Sequence, residues 1–386
     1  MRCDAISPPS GPSPYPITDG PTPNTTNVPD GTIIIGHKAD AVLLRGDGGT
    51  SVALAFAGSA TVINMDVSGF GDAVVASGNT EASIGNIHVH DNLDCGALVS
   101  GSATLGVADA YFEHNGNAGV LVSANATLSF GGASFRYNRT GVWLSGHSSI
   151  TGSGAVFANN GYTNDPTNSG LYVSEFSNAD LTYASFQDNY ASGINAVAYG
   201  HVNVTGGEIS GNGKSCTGGE RSCSGVVLNG LMQDVTIDGS KIHDNAVYGV
   251  IAMGGHATFN MKNVTLARNG LMNVLLAEAG STLRGWTTAV ITNSTFTGPT
   301  NVNLRWQGEM SQLTIANSSF SSGDFADLEA GAADSPTLFG NVTAGGVLYP
   351  TNGLQTQNIT AHNNPAPAHL WFDSTTLGAM FFYKLN

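Results

Sequence analysis

The sequence predicts an all-β chain wound as a right-handed parallel β-helix, a solenoid of about ten or eleven coils of roughly 22–24 residues, each with three short strands. Three observations predict it: one motif recurs at a nearly constant step, apolar residues alternate with period two between its copies, and the composition disfavours helices. The motif is a large apolar residue, two variable residues, Asn, and a turn closing on Gly. It reads Val89, Asn92 and Gly96; Phe112, Asn115 and Gly119; Phe135, Asn138 and Gly141; Phe157, Asn160 and Gly170. It continues as Phe186, Asn189 and Gly193; Ile209, Asn212 and Gly225; Ile242, Asn245 and Gly249; and Leu266 with Asn269. Weaker copies precede it at Val67 and follow it at Phe296 and Phe320.

Alternation with period two marks strands. A first strand follows the Gly, as in Val120-Leu121-Val122, Val142-Trp143-Leu144 and Val250-Ile251-Ala252. A second follows, as in Ala126-Thr127-Leu128 and Ala257-Thr258-Phe259, and a third ends on the motif's apolar residue, as in Ala133-Ser134-Phe135. Stacked coils lie about 4.8 Å apart, so Phe112, Phe135, Phe157 and Phe186 should form one inward stack, continued by Ile209, Ile242 and Leu266. The Asn suits a turn because it tolerates left-handed backbone angles and its amide can bond to equivalent residues as a ladder. These amides are structural rather than catalytic. Residues 1–30 read as a Pro/Ser/Thr-rich tether, 31–59 as an N-terminal cap with the first coil, 60–330 as the β-helix and 331–386 as a C-terminal cap. Leu370-Trp371-Phe372 and Met380-Phe381-Phe382-Tyr383 are too apolar for a free tail, and an uncovered solenoid end exposes a strand edge.

The chain holds 51 Gly and 13 Lys plus Arg against 28 Asp plus Glu, a formal charge of −15. So few helix formers do not make a helical protein. A nucleic-acid partner is excluded, because phosphate binding needs clustered cations. No apolar run approaches the roughly 18 residues of a membrane-spanning helix. Met1-Arg2-Cys3 leads directly into polar residues, so a mature or trimmed form is expected, secreted or at the cell surface. Cys216 and Cys223 lie in a polar glycine-rich segment and predict a disulfide, hence an oxidising compartment. Cys95, just before a strand, reads as a small core thiol. Cys3, followed by Pro and Ser, is either a possible lipid tether or part of a frayed terminus. Nine Asn-x-Ser/Thr sequons, from Asn24 to Asn358, matter only in a glycosylating pathway.

The repeats resemble the right-handed parallel β-helix of the pectin-lyase-like superfamily, in particular its carbohydrate-binding and sugar-hydrolase repeats, also seen in NosD-type periplasmic proteins. The element Phe112-Glu113-His114-Asn115 also resembles repeats of polymorphic outer-membrane autotransporter passengers, although the GGA[ILV] element of that group is lacking. The resemblance covers about residues 60–330. It implies the fold but no single activity, since the superfamily includes lyases, hydrolases, epimerases, tailspikes and adhesins.

Two insertions, 161–169 and 213–224, enter at the same turn two coils apart, so they should emerge about 10 Å from each other. They are binding loops or merely tolerated length. They flank the outer face of the first strands, where the resemblance implies that catalytic groups sit. Alternation turns Leu98, Leu121, Trp143, Tyr172, Asn195, Val227, Ile251, Leu275 and Asn303 outward, with a second outward row from Ser100 to Arg305. These rows hold no carboxylate. A calcium-dependent lyase needs several carboxylates and a base, and a glycoside hydrolase needs a carboxylate pair.

Trp143 and Tyr172 beside Asn195 suit the apolar face and polar edges of a sugar ring, and they are the candidate substrate-binding residues. An outward apolar row is equally suited to cover by a loop, the terminal segment or a partner chain. His88 and His90 point outward without clear further ligands, so no metal is expected. The Gly146-His147, Gly200-His201 and Gly255-His256 pairs read as surface turns. The expected function is a secreted or surface-anchored solenoid that binds polysaccharide or a cell-surface glycan, or acts as an adhesin-like scaffold, without catalysis and without a cofactor. An alternative, and the one reading that admits Ca²⁺, is a polysaccharide lyase or epimerase whose acid and base come from Asp165, Glu175, Lys214, Glu220, Arg221, Arg305 or Glu309. A third is a tailspike-like receptor binder, a homotrimer rather than a monomer.

Overall fold

Successive coils in the computed structural model stack as parallel strands, and no helix occurs among the described residues. The structure describes residues 51–162, 165, 167–216, 222–253 and 257–277; from there to 382 it describes mainly the strands, and before 51 it describes 20–21, 26–35, 43–46 and 48. The chain forms two compact units, residues 1–162 with 167–185, and residues 163–166 with 186–386.

In the first unit the first strands of successive coils make one sheet, from Val52–Phe56 through Asp72–Ala76, Ala97–Val99, Ala118–Val122 and Thr140–Leu144 to Leu171–Val173. Second and third strands share a second sheet. They run on as single long strands at Ala60–Ser68 and Glu81–His90, and in later coils a residue with left-handed angles, such as Asp109 or Gly132, separates them. The core is a column of like residues in register: Val67, Val89, Phe112, Phe135 and Phe157, all fully buried. The three rings stack at 5.4 and 5.0 Å. Full burial of each such side chain contributes about 1.5–3 kcal/mol. The second unit repeats the plan with Ile209, Ile242, Leu266, Phe296 and Phe320 in register. Its pairing continues to Ala368–Asp373, parallel to Ala326–Gly331.

The asparagine ladder is built as two-way satisfaction of a buried amide. Asn115 Oδ1 accepts from both Asn92 Nδ2 (2.8 Å) and Asn92 N (3.3 Å). Its Nδ2 donates to Asn138 Oδ1 and to the Val89 carbonyl. Asn138 repeats the pattern towards Asn160, and in the second unit Asn189, Asn212, Asn245 and Asn269 do the same. The motif's Gly makes room for it. A Cβ on Gly119 would lie 2.6 Å from the Gly141 carbonyl and 2.9 Å from Asn138 Nδ2.

Two expectations are corrected. The left-handed residue is not the ladder Asn but the one before it: Asp91, His114, Tyr137, Asn159, Asp188, Asp244 and Arg268 have φ between 52° and 59°. That reversal turns the following side chain into the core, where the amide finds its partners. Each such non-Gly residue costs roughly 1–2 kcal/mol, offset by the ladder bonds. The register also slips near the end of the outward row. Leu275 pairs with Arg305, while Asn303 is fully buried and accepts from Asn273 Nδ2, because the ladder passes from the turn into the first-strand sheet at Asn273.

Asn115→Ala strands several buried groups at about 1–3 kcal/mol each, so its melting temperature should fall by several degrees. Gly119→Ala should fall comparably. Gly131→Ala, whose Cβ meets nothing within 4 Å, should stay near wild type. Thermal unfolding followed by circular dichroism checks all three.

Candidate functional site

Three outer surfaces carry the residues that matter. The first is the outer face of the first-strand sheet. Leu98 and Leu121 are buried with Val52, Ala55, Val75, Cys95 and Ala118 in one apolar cluster, against which Trp143 packs. Trp143 and Tyr172 are half-buried and meet edge to face at 5.3 Å. In the second unit Val227, Ile251 and Leu275 are buried with Val247, Tyr248, Met253, Met272 and Cys223, and Cys216 packs on top. Asn195, expected as an exposed polar partner, is fully buried. Most of this face is therefore buried, with Trp143 and Tyr172 partly exposed. A parallel sheet buried on both sides reads as unbroken apolar runs, as in Ala118–Val122 and Tyr248–Met253.

The Cys216–Cys223 disulfide forms as expected, with Cα atoms 6.2 Å apart. The bonded cysteines themselves pack on the apolar row of Val227, Ile251 and Leu275, Cys223 within the cluster and Cys216 against it. Cys95 is disulfide-bonded rather than a free core thiol. In the first unit the two described ends of the 161–169 insertion, at Tyr162 and at Asn168–Ser169, are also built in. Asn168 and Ser169 are buried, Arg139 Nε donates to Asn168 Oδ1, and Tyr162 OH donates to the Tyr137 carbonyl. Burial pushes the Tyr162 phenol up.

Of the catalytic candidates, Asp165, Glu175 and Lys214 are described with their side chains. Asp165 is half-buried in its loop, and exposed Glu175 accepts from Gly146 N at 3.1 Å. Lys214 pairs with Asp188 at 3.4 Å. Glu220, Arg221 and Glu309 lie outside the described residues, as do Cys3 and His256. His147 lies flat on Phe176 at 5.2 Å in its turn.

The second surface is a groove over the second strands of the first unit. Its floor follows one outward register row: Thr61, Ser83, Gly106, Ser129, Thr151 and Asp180. One stretch, about 650 Å³, runs from Ser83 to Thr182; an adjoining stretch of about 570 Å³ shares Ser83, Gly106 and Ser129 and reaches Thr32 and Glu81. Absent side chains at the outward Gly106 and Gly131 hollow it out. Gly152 is demanded from within, since a Cβ there would lie inside the Phe130 ring. The sequence reading looked only at first strands and missed this row, although period two exposes it directly.

The third surface is the outer face of the third strands. Register places His88 beside Asp66 and Tyr111, and His90 beside Glu113. His88 Nδ1 is 3.4 Å from Asp66 Oδ2, and His90 Nε2 is 3.0 Å from Asp66 Oδ1. Burial alone would lower the His90 pKa, but hydrogen bonds accepted by the Asp91 and Asp66 carboxylates outweigh it and the net shift is upward. In the second unit His243 sits between Glu208 (3.1 Å) and Asp244 (2.6 Å), and Arg268 hydrogen-bonds Asp244 and holds it below the ordinary carboxylate range. Asp66 was invisible to the sequence reading because it sits one coil away; counting back one repeat step from His88 would have found it.

A family model for a right-handed beta helix region matches residues 30–160 and 150–296. No curated protein matches the sequence. Among solved structures the chain is similar to the catalytic domain of a GH87 alpha-1,3-glucanase variant in complex with nigerose, at 10% identity over 89% of this chain and 61% of that chain, with a TM-score of 0.30. It is also similar to such a domain in complex with tetrasaccharides, at 11% identity over 95% of this chain and 68% of that chain, with a TM-score of 0.27. The chain thus spans about three fifths of the first of these.

Replacing both Cys216 and Cys223 with Ser should cost about 2 kcal/mol by loosening the unfolded-state constraint. It should also raise fluorescence of an apolar dye as the row beneath is uncovered, with the strand signal in circular dichroism retained.

Proposed function

Because the chain belongs to the right-handed beta-helix family, we propose that it binds a neutral linear polysaccharide lengthwise in the groove over the second strands of its first unit. The observation that carries this reading is the groove's floor, a row of short hydroxyl side chains and glycines climbing one coil at a time. Equivalent hydroxyls recur about every 4.8 Å, which offers a repeating ligand a repeating set of donors and acceptors. Ser83, Ser129 and Thr151 can exchange hydrogen bonds with sugar hydroxyls, while glycine backbone accepts the C–H face of a ring. No Lys, Arg or His lines either stretch among the described residues, and Asp180 and Glu81 are present. That charge favours a neutral glycan over an acidic one. Disulfide-bonded cysteines support an oxidising, extracellular setting.

Affinity electrophoresis through gels holding neutral or acidic polysaccharides tests the reading. Retardation on a neutral glycan should weaken at least tenfold in Gly131→Phe, which fills the groove from a position where added atoms meet no neighbour. Trp143→Ala should retain the retardation while lowering the melting temperature, since Trp143 packs on a buried cluster. Retardation untouched by Gly131→Phe would place binding elsewhere. Release of unsaturated ends, lost in Lys214→Ala, would replace this reading with a lyase using its insertion loops.

A further inference from the structure

We propose that Asp66, His88 and His90 form a binding site for one divalent first-row transition ion of the zinc class. The proposal stands independently of the groove. The ligating atoms of the three residues all lie within 4.8 Å of one another. Bonds of about 2.0–2.1 Å in a tetrahedral site place neighbouring ligand atoms about 3.3 Å apart. His90 Nε2 lies 3.0 Å from Asp66 Oδ1 and His88 Nδ1 3.4 Å from Asp66 Oδ2, so the two imidazoles each reach one oxygen of a single carboxylate at separations close to that edge. The imidazoles stack at 4.3 Å, 27° from parallel, so both present a nitrogen to the same carboxylate. Asp66 is held at 13% side-chain exposure, which limits the number of waters that compete for it.

A second observation points the same way. Each imidazole has a carboxylate behind its far nitrogen: His90 Nδ1 lies 2.7 Å from Asp91 Oδ2, and His88 Nε2 lies 3.5 Å from Glu113 Oε2. With the His90 proton on Nδ1, hydrogen-bonded to Asp91, Nε2 is the free ligand atom, and the His88 tautomer protonated on Nε2, on the side of Glu113, leaves Nδ1 to ligate. Carboxylates behind histidines orient ligands and raise their basicity at metal sites. Two imidazoles with one carboxylate suit zinc, cobalt or nickel rather than Ca²⁺ or Mg²⁺, which prefer oxygen alone. Three protein ligands leave a position open to water or to an external ligand.

Two other clusters lack one part each. His243 has flanking carboxylates but no second imidazole in its group, and Arg268 occupies Asp244. Asp72, Asp94 and Cys95 lie close together, but Cys95 is disulfide-bonded and offers no thiolate.

The test is titration of the chelator-treated full chain with Co²⁺, read by visible absorption, and with Zn²⁺, read by calorimetry. One ion per chain is expected, with cobalt bands of a low-coordinate nitrogen–oxygen site. His88→Ala and His90→Ala should each weaken affinity at least a hundredfold. Asp91→Asn, which removes the carboxylate behind His90 while keeping a residue that tolerates φ near 52°, should weaken it roughly 10–100-fold. His243→Ala should change nothing. All variants keep outward side chains, so unchanged circular dichroism is expected. Absence of saturable binding in the wild type would overturn the proposal. Stoichiometric binding that survives in the combined His88→Ala, His90→Ala variant would overturn it equally.

Discussion

A buried amide that must be satisfied in both directions governs each unit of this solenoid. The turn that closes every coil leaves backbone donors and carbonyls facing the interior, where an unmet group costs about 1–3 kcal/mol. The ladder Asn meets them with one side chain per coil. Its oxygen takes the side-chain and backbone donors of the coil before, and its nitrogen reaches the oxygen of the coil after. Everything else in the motif serves that geometry. The left-handed residue ahead of the Asn aims it inward, the Gly behind it lets the neighbouring coil approach, and the large apolar residue three positions earlier packs beneath it. The ladder therefore sets the register, and the register aligns all other rows.

Once rows are aligned, the outer faces diverge by composition. First strands carry apolar residues on both sides, and most of their outer side is buried, in the second unit with Cys223 in the cluster and Cys216 packed against it. Second strands alternate strictly in the first unit, so Leu105, Leu128 and Ile150 go inward while Gly, Ser and Thr remain outside. Third strands are short and place polar residues at their outward ends, where one coil's histidine meets another's carboxylate. The open surfaces lie where outward side chains are small or ionisable, and the closed ones where they are large and apolar.

This division changes where function is sought. The aromatic pair Trp143 and Tyr172 has the right chemistry for a sugar, but Trp143 is part of the packing over a buried layer. The hydroxyl groove has fewer distinctive residues and is the more accessible surface. A periodic scaffold makes such a groove by repetition rather than by any single conspicuous residue. The histidine cluster is the opposite case, a local departure from the repeat confined to successive coils around Asp66.

The sequence by itself determined the fold class, the coil step, the inward column from Val89 to Leu266, the ladder and the Cys216–Cys223 pair. All of these follow from periodicity or from close spacing, which a linear chain displays directly. Tertiary structure alone decided which outward rows are covered, that Asn195 is buried within such a row while Asn303 joins the ladder, and that Asp66 meets His88 and His90. Burial of an outward row depends on which residues outside the strands come to rest on it, as the bonded Cys216 and Cys223 do on Val227, Ile251 and Leu275. The Asp66 cluster depends on a coil offset of 22 residues to His88 and 24 to His90, and only stacked strands convert such an offset into a distance of about one hydrogen bond.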